Sequence, residues 1–375
     1  MSRRPAGHPR ARVQGRGVLV LGAALAGLLL GLAAVNLLAS GDDAEEAAGS
    51  AVDAYRVVYR VEQLVDDPPI VTWEEKVVRR PFHGLSVTTR EPPAPGEQPV
   101  SGVLTTADRV YSVSAQGLQE VAGRVPGVPG GDQALGVVLD DAVERRLARP
   151  GDRRRVAGRD CRVYRIARPH HRPLGPFEGD DHTDVCIDDA GLLLAEEWTL
   201  DGDMVQVRTA VAVDVSPPDE LLREALSPAG ASPPPPGLEP PLVTRDDGAT
   251  SFLSAPAPPD GFEPAGVMRV VTPASVANPD AAPGTVLFTS VAWVFVRGPD
   301  VVSVEAGEGT APWSQEDAAI TVELTGLGPA QSVLGPEGAE LRLERDGRWV
   351  RVRGTVAPAR LHRYAATLTG TLPGA

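Results

Sequence analysis

The stretch from Gly158 to Val215 constrains the fold more than any other part of the chain. It reads GRDCRVYRIARPHHRPLGPFEGDDHTDVCIDDAGLLLAEEWTLDGDMVQVRTAVAVDV. Cys161 opens CRVYRI, a short run of residues that favour strands. VCID ends at Asp189-Ala190-Gly191, a turn signal, and LLLAEEWTL ends at Asp201-Gly202, a hairpin dipeptide. Beyond it Val205, Val207, Thr209, Val211 and Val213 alternate with Gln206, Arg208, Ala210 and Ala212, a period of two. The pattern predicts four consecutive antiparallel strands with one apolar face that needs a cover.

The same alternation recurs on both sides. Tyr55, Val57, Tyr59 and Val61 alternate in a first strand. IVTWEEKVVRR returns after Asp66-Asp67-Pro68-Pro69, with Val71 and Trp73 on one face. LSVTTRE follows, then two short strands in VLTTADRVYSVSA. Residues 115–150 change character: ALGVVLDDAVERRL has helical spacing, Asp132 stands where an N-cap belongs, and Pro150-Gly151 is expected to stop the helix. Arg153-Arg154-Arg155 reads as a solvated turn. PPDELLREAL suggests a second short helix. From residue 245 the chain is strand-rich again, in GVMRVVTP, TVLFTSVAWVFVRG, VVSVEAGEG, AITVELTG, QSVLG, AELRLERDG and RWVRVRGTV, and LHRYAATL closes it as a helix. The 37 prolines and 40 glycines, about a fifth of the chain, favour such short strands over long helices.

The order Gly158-Arg159-x-Cys161-x-Val163-Tyr164, Val185-Cys186-Ile187-Asp188-x-x-Gly191-Leu192-Leu193, Glu197-Trp198 and Asp201-Gly202 resembles the half-barrel domain of the LolA-like lipoprotein-sorting carriers. The RseB (MucB)-like sigma-E regulatory proteins share that domain. Pro259-Asp260-Gly261-Phe262 and the ending from Trp349 to Leu368 are similar to the second domain of the RseB-like group. The resemblance implies a mainly β chain with a few helices (α+β): an antiparallel half-barrel closed by helices, then a smaller strand-rich domain. It also implies a lipophilic cavity, lined by Val57, Tyr59, Val61, Val71, Trp73, Trp198, Val205, Val207 and Val211. An ordinary packed core is the alternative for these side chains.

The organisation expected is a basic tail (1–17), a membrane-spanning helix (18–39), an acidic spacer (40–53), the half-barrel domain (54–226), a proline-rich linker (227–244) and the β-rich domain (245–375). Five arginines and no acid precede Val18, and Val18 to Ala39 is free of charge. At 1.5 Å per residue that run spans roughly 33 Å, enough to cross a bilayer. The arginines before it, and Asp42, Asp43, Glu45 and Glu46 after it, place the tail in the cytoplasm and residues 40–375 outside. A cleaved signal peptide ending near Leu38-Ala39-Ser40 is the rival reading. In an extracytoplasmic compartment two cysteines point to a disulfide, Cys161 to Cys186, worth roughly 3 kcal/mol for its loop length; two buried free thiols are the alternative.

Composition and motifs narrow the function. The formal charge is −14 and the tail is basic, so the outer part is still more acidic and repels nucleic acid. The signatures GxSxG, HExxH, GxxxxGK[ST], CxxC and GxGxxG are absent, which argues against an enzyme and against a bound cofactor. His170, His171, Asp180, Asp181, His182 and Asp184 share one loop rich in proline and glycine, read as a solvated connection and not as a metal site. The expected partners are the membrane, a lipid or acyl chain, and a membrane anti-sigma factor of the envelope stress response. Carriage of a lipoprotein or lipid is the alternative, and an envelope hydrolase stands behind both.

The anchor has a direct test. Protease added to intact spheroplasts is expected to degrade residues 40–375 and leave a small membrane-bound fragment. A mature N-terminus near Ser40 would overturn the anchor and return the chain to the soluble-carrier alternative.

Overall fold

A computed structural model describes residues 52–370, apart from 95–97, 124–133, 168–172, 178, 235–240, 247, 249, 277, 279, 283, 314–319 and 326. The run from Val18 to Ala39, His170, His171 and Asp132 lie outside the described residues. No helix among the described residues is long and apolar enough to cross a membrane.

Alternating sequence becomes two antiparallel sheets. The first has eleven strands: β1 (Ala54–Gln63), β2 (Ile70–Arg79), β3 (His83–Thr89), β4 (Ser101–Thr105), β5 (Arg109–Ser114), β6 (Gly117–Gly123), β7 (Ala148–Val156), β8 (Arg159–Ile166), β9 (His182–Asp188), β10 (Leu193–Leu200) and β11 (Asp203–Asp214). Their order is β6-β5-β4-β3-β2-β1-β11-β10-β9-β8-β7. The chain meanders outward from β1 to β6, crosses to the far edge, and meanders back until β11 lies beside β1. The sheet does not close into a barrel, yet β7 comes back into contact with β11 although three strands separate them in the order. Val156, Val213 and Val215 pack on one cluster there.

The second sheet has eight strands: β12 (Leu242–Arg245), β13 (Glu263–Pro273), β14 (Val286–Arg297), β15 (Asp300–Gly309), β16 (Ile320–Leu324), β17 (Gly328–Gly335), β18 (Gly338–Arg345) and β19 (Arg348–Gly354). Their order is β12-β13-β14-β15-β19-β18-β17-β16. The two Asp-Gly hairpins form as their dipeptides require. Asp201 and Gly202 sit at φ 53° and 86°, and Asp346 and Gly347 at φ 51° and 71°, the left-handed pair of a tight antiparallel turn.

Helix α1 (Leu135–Glu144) carries the crossover, and Leu135, Val138, Leu139 and Ala142 are buried on it. On one side they meet Ile166, Val185, Ile187 and Leu193 of the first sheet. On the other they meet Ala330, Leu334, Ala339 and Leu341 of the second, with Leu361 and Ala365 of α3 (Pro358–Ala365). One apolar core therefore runs through both sheets. Burying Leu135, Val138 and Leu139 contributes about 1.5–3 kcal/mol each. The short α2 (Asp219–Ala225) covers a separate cluster of Val77, Leu104 and Tyr111 with Leu222.

Several expectations are corrected. Helix α1 ends at Glu144, with Arg146 at φ 63°, and Pro150-Gly151 lies inside β7 instead of stopping a helix. Arg153, Arg154 and Arg155 belong to that strand, exposed on the edge of the sheet, where arginine and proline discourage pairing with another chain. β6 forms in the stretch read as non-strand. Residues 242–244, expected in the linker, belong with Arg245 to β12 (Leu242–Arg245). Two other residues expected in the linker are bonded to the β6 edge: Glu120 N–H donates to Ser232 O (2.9 Å), Ser232 N–H to Leu118 O (2.9 Å), and Gly123 N–H to Pro241 O (3.2 Å).

The disulfide is present. Cys161 on β8 and Cys186 on β9 stand diagonally across adjacent strands with their Cα atoms 5.4 Å apart, both buried. Asp188 holds the turn that follows: its carboxylate accepts the N–H of Ala190 (3.0 Å) and Leu192 (2.8 Å) and pairs with Arg159 (2.7 Å). Replacing both cysteines by serine is expected to cost roughly 3 kcal/mol in denaturant unfolding, from the lost constraint on the unfolded chain. A reductant should lower the stability of the wild type and leave the double variant unchanged; equal stability with and without reductant would show that the bond does not form in solution.

Candidate functional site

The nine residues expected to line one cavity are divided between two faces by register. In the β1–β2 hairpin Val57, Tyr59 and Val61 stand across from Lys76, Glu74 and Thr72, whereas Val71 and Trp73 stand across from Glu62 and Arg60. Directly opposed residues share a face, so Val71 and Trp73 point away from Val57, Tyr59 and Val61. Val207 also opposes Glu62 and joins Val71, and Val205 follows it by alternation. A bulge in β11 places Val213 opposite Val57 but Ala210 opposite Tyr59; Val211 is the extra residue and is 47% exposed. Trp198 opposes Gln206 and falls on the Tyr59 side. The structure brings together Val57 and Tyr59, both close-packed with Leu194, Ala195 and Ala210, with Val61 against them. It does not bring Val71, Trp73, Val205, Val207 or Val211 into that group.

What the Tyr59 face carries instead is charge. Arg208 lies between Glu74 (2.8 Å) and Glu196 (3.4 Å), and all three side chains are largely buried. Its guanidinium sits 3.9 Å from the centroid of the Tyr59 ring, and the Tyr59 hydroxyl donates to Leu193 O at 2.7 Å. Ser86 Oγ donates to Glu74 (2.8 Å), and Lys76 Nζ approaches the same carboxylate at 3.8 Å. Five adjacent strands contribute to this floor: Ser86 comes from β3, Glu74 and Lys76 from β2, Tyr59 from β1, Arg208 from β11 and Glu196 from β10. Its charges compensate one another, and it offers fixed polar groups where an acyl chain would need apolar contact. The sequence signal was the Glu74-Glu75-Lys76 run in the middle of β2 and Arg208 within the largely apolar β11, where alternation set Arg208 on the face opposite the valines.

A second cluster joins α1, β17 and α3. Ser332 Oγ lies 2.8 Å from His362 Nε2, and Arg145 reaches Ser332 O and Oγ, both at 3.3 Å. Burial, with Arg145 adding to it, pushes the His362 imidazole down to about 4. Burial raises the Asp141 carboxyl, against the pull of Arg145 at 3.8 Å. A serine beside a neutral histidine has the components of a nucleophile and base. Here Ser332 is 0% exposed, so no substrate reaches it, and the pair works as a link between elements. Of the residues expected in one loop between the cysteines, His182 and Asp184 lie instead on β9, where Asp184 is held bidentately by Arg165 (2.8 and 2.8 Å) and His182 Nδ1 meets Asp180 O (2.8 Å). Among the described residues no group of three or more His, Cys, Asp and Glu could hold a metal ion.

No protein-family model matches the chain, and no curated protein matches it. Solved structures similar to it include the MucA/MucB complex of Pseudomonas aeruginosa (15% identity, 85% of this chain and 94% of that one, TM-score 0.30). A crystal structure of MucB is another (15% identity, 87% and 95%, TM-score 0.28). A LolA superfamily protein from Nitrosomonas europaea matches over 48% of this chain and 94% of its own, at 8% identity and TM-score 0.21. Likenesses this distant fix no residue roles, and the functional reading rests on the chain's own sequence and geometry.

Arg208 is the residue on which the buried floor depends. Arg208→Ala leaves Glu74 and Glu196 facing each other without their shared cation and is expected to cost about 3–5 kcal/mol in denaturant unfolding. Arg208→Met combined with Glu74→Gln and Glu196→Gln should recover most of that loss. A cost below about 1 kcal/mol for the single alanine variant would show the cluster to be a solvated surface network.

Proposed function

We propose that this chain is a membrane-anchored extracytoplasmic binding protein that regulates a membrane anti-sigma factor in the envelope stress response. The observation that carries the reading is the joined architecture. The half-barrel-like sheet and the second sheet are built on one core around α1, and the disulfide between β8 and β9 suits an oxidising compartment. A free-standing carrier needs the first sheet alone; here the second sheet supplies part of the cover of α1. The partner is the one the sequence resemblance implies, and the anchor keeps the two proteins in one membrane at a high effective concentration. A lipophilic ligand sensed by the first sheet belongs to the same proposal, with the Arg208 floor favouring a ligand that has a polar end.

Carriage of a lipid or lipoprotein is the second reading. It is favoured by the size of the curled first sheet, and it requires release from the membrane.

Deleting the gene and following a reporter driven by the sigma factor of the cognate anti-sigma factor separates the two. The regulatory reading predicts a several-fold change in the reporter, restored by the full chain and not by a version lacking residues 1–39. An unchanged reporter together with mislocalised lipoproteins would overturn it in favour of the carrier.

A further inference from the structure

On the second sheet, one face carries a row of directly opposed residues across three strands: Thr321 on β16, Gln331 on β17 and Arg342 on β18. Glu344 lies two residues beyond Arg342 on the same face, and Trp313 stands over this corner. Together they line a cavity of about 240 Å³. We propose that it is a binding site for a neutral sugar ring.

The lining decides the class of ligand. Arg342 and Glu344 bring opposite charges to one small space, so a charged ligand gains from one and is repelled by the other. A hydroxyl group both donates and accepts, and it can satisfy a guanidinium, a carboxylate, an amide and the Thr321 hydroxyl in turn. The residues stand on adjacent strands about 4.8 Å apart, a spacing closer to that of alternate hydroxyls around a pyranose than to the oxygens of one compact ion. Trp313 adds a flat apolar surface, and a sugar ring has a C–H face to lay against it. The volume falls below the range of drug-sized pockets and suits a single ring.

Trp313 is held before any ligand arrives. Its ring meets Trp349 edge-on at 5.5 Å between centroids, and Trp349 meets Phe288 in the same way at 5.5 Å. Trp349 fills the space above Gly307, where a Cβ would come within 2.3 Å of its ring. The Arg342 guanidinium is 5.9 Å from the Trp313 centroid, wider than close stacking, and its Nε donates to Glu340 at 2.8 Å. Both sides of the cavity are thus fixed by neighbours. The Trp349 indole N–H, wholly buried beside Trp313 and across from Glu344, has no acceptor among the described residues.

Saturation-transfer NMR and tryptophan fluorescence of the full chain in detergent, titrated with glucose, galactose, mannose and N-acetylglucosamine, test the site. At least one sugar is expected to bind with a roughly millimolar dissociation constant, and glycerol and acetate should give no saturable response. Gln331→Ala and Trp313→Ala should each weaken binding at least tenfold with the far-ultraviolet circular dichroism unchanged, while Trp73→Ala, on the other sheet, leaves it intact. No saturable response to any of the four sugars would overturn the proposal. So would binding that survives both cavity variants, or acetate binding as well as the sugars. None of these outcomes bears on the anti-sigma factor reading, which concerns a different partner.

Discussion

The largest apolar core of the described residues leans on the burial of helix α1. It connects the two edges of an eleven-stranded sheet, so its position is dictated by topology, and its apolar stripe is wide enough to meet two surfaces at once. Leu135, Val138, Leu139 and Ala142 are nearly without exposure because they share one core with residues of both sheets. Neither sheet could keep its inner face covered if the helix left. The Arg145–Ser332–His362 cluster follows from the same packing: where the apolar stripe ends, the polar groups of three elements are trapped together and must satisfy one another.

The second sheet shows how such trapped groups are kept in balance. Glu305 is buried, and burial alone would raise its carboxyl; Arg351 at 2.5 Å and Arg353 outweigh that and hold it below its ordinary range. Ser290 Oγ also donates to it at 2.6 Å. Arg353 is the member in excess: burial, with Arg351 beside it, brings its guanidinium down to about 10. A sheet with one apolar and one ionic face can be covered on both, and its strands then lose the clean alternation of a half-exposed sheet.

That loss marks the limit of what the sequence made legible. The four strands of Gly158–Val215, the seven of the second part and the Asp-Gly hairpins were readable because turn chemistry and period are local. Register is not local. The Leu64–Pro69 connection sets Val61 against Thr72, and a single inserted residue at Val211 reverses the parity of β11 relative to β1. Either change moves valines from one face to the other without altering the pattern that the eye follows. β7 was missed for a related reason: an edge strand of arginine, proline and glycine has the composition of a turn, and only its pairing with β8 makes it a strand.

The continuous core also bears on how a regulatory signal could travel. Two domains joined by a free proline-rich spacer would change their relative angle at small cost. Here opening the angle would expose α1 and the residues around it on both sheets, a loss of many kcal/mol at about 25 cal/mol per Å². Coupling between binding sites is usually worth 1–3 kcal/mol, too little to part such a core. Elements held by a few backbone bonds are within that range. Ser232 and Pro241 are held to the β6 edge by three such bonds, and β6 is bonded as a strand to β5 alone. A partner acting on this chain therefore works on its edges and surface, with the two-sheet body as a fixed frame.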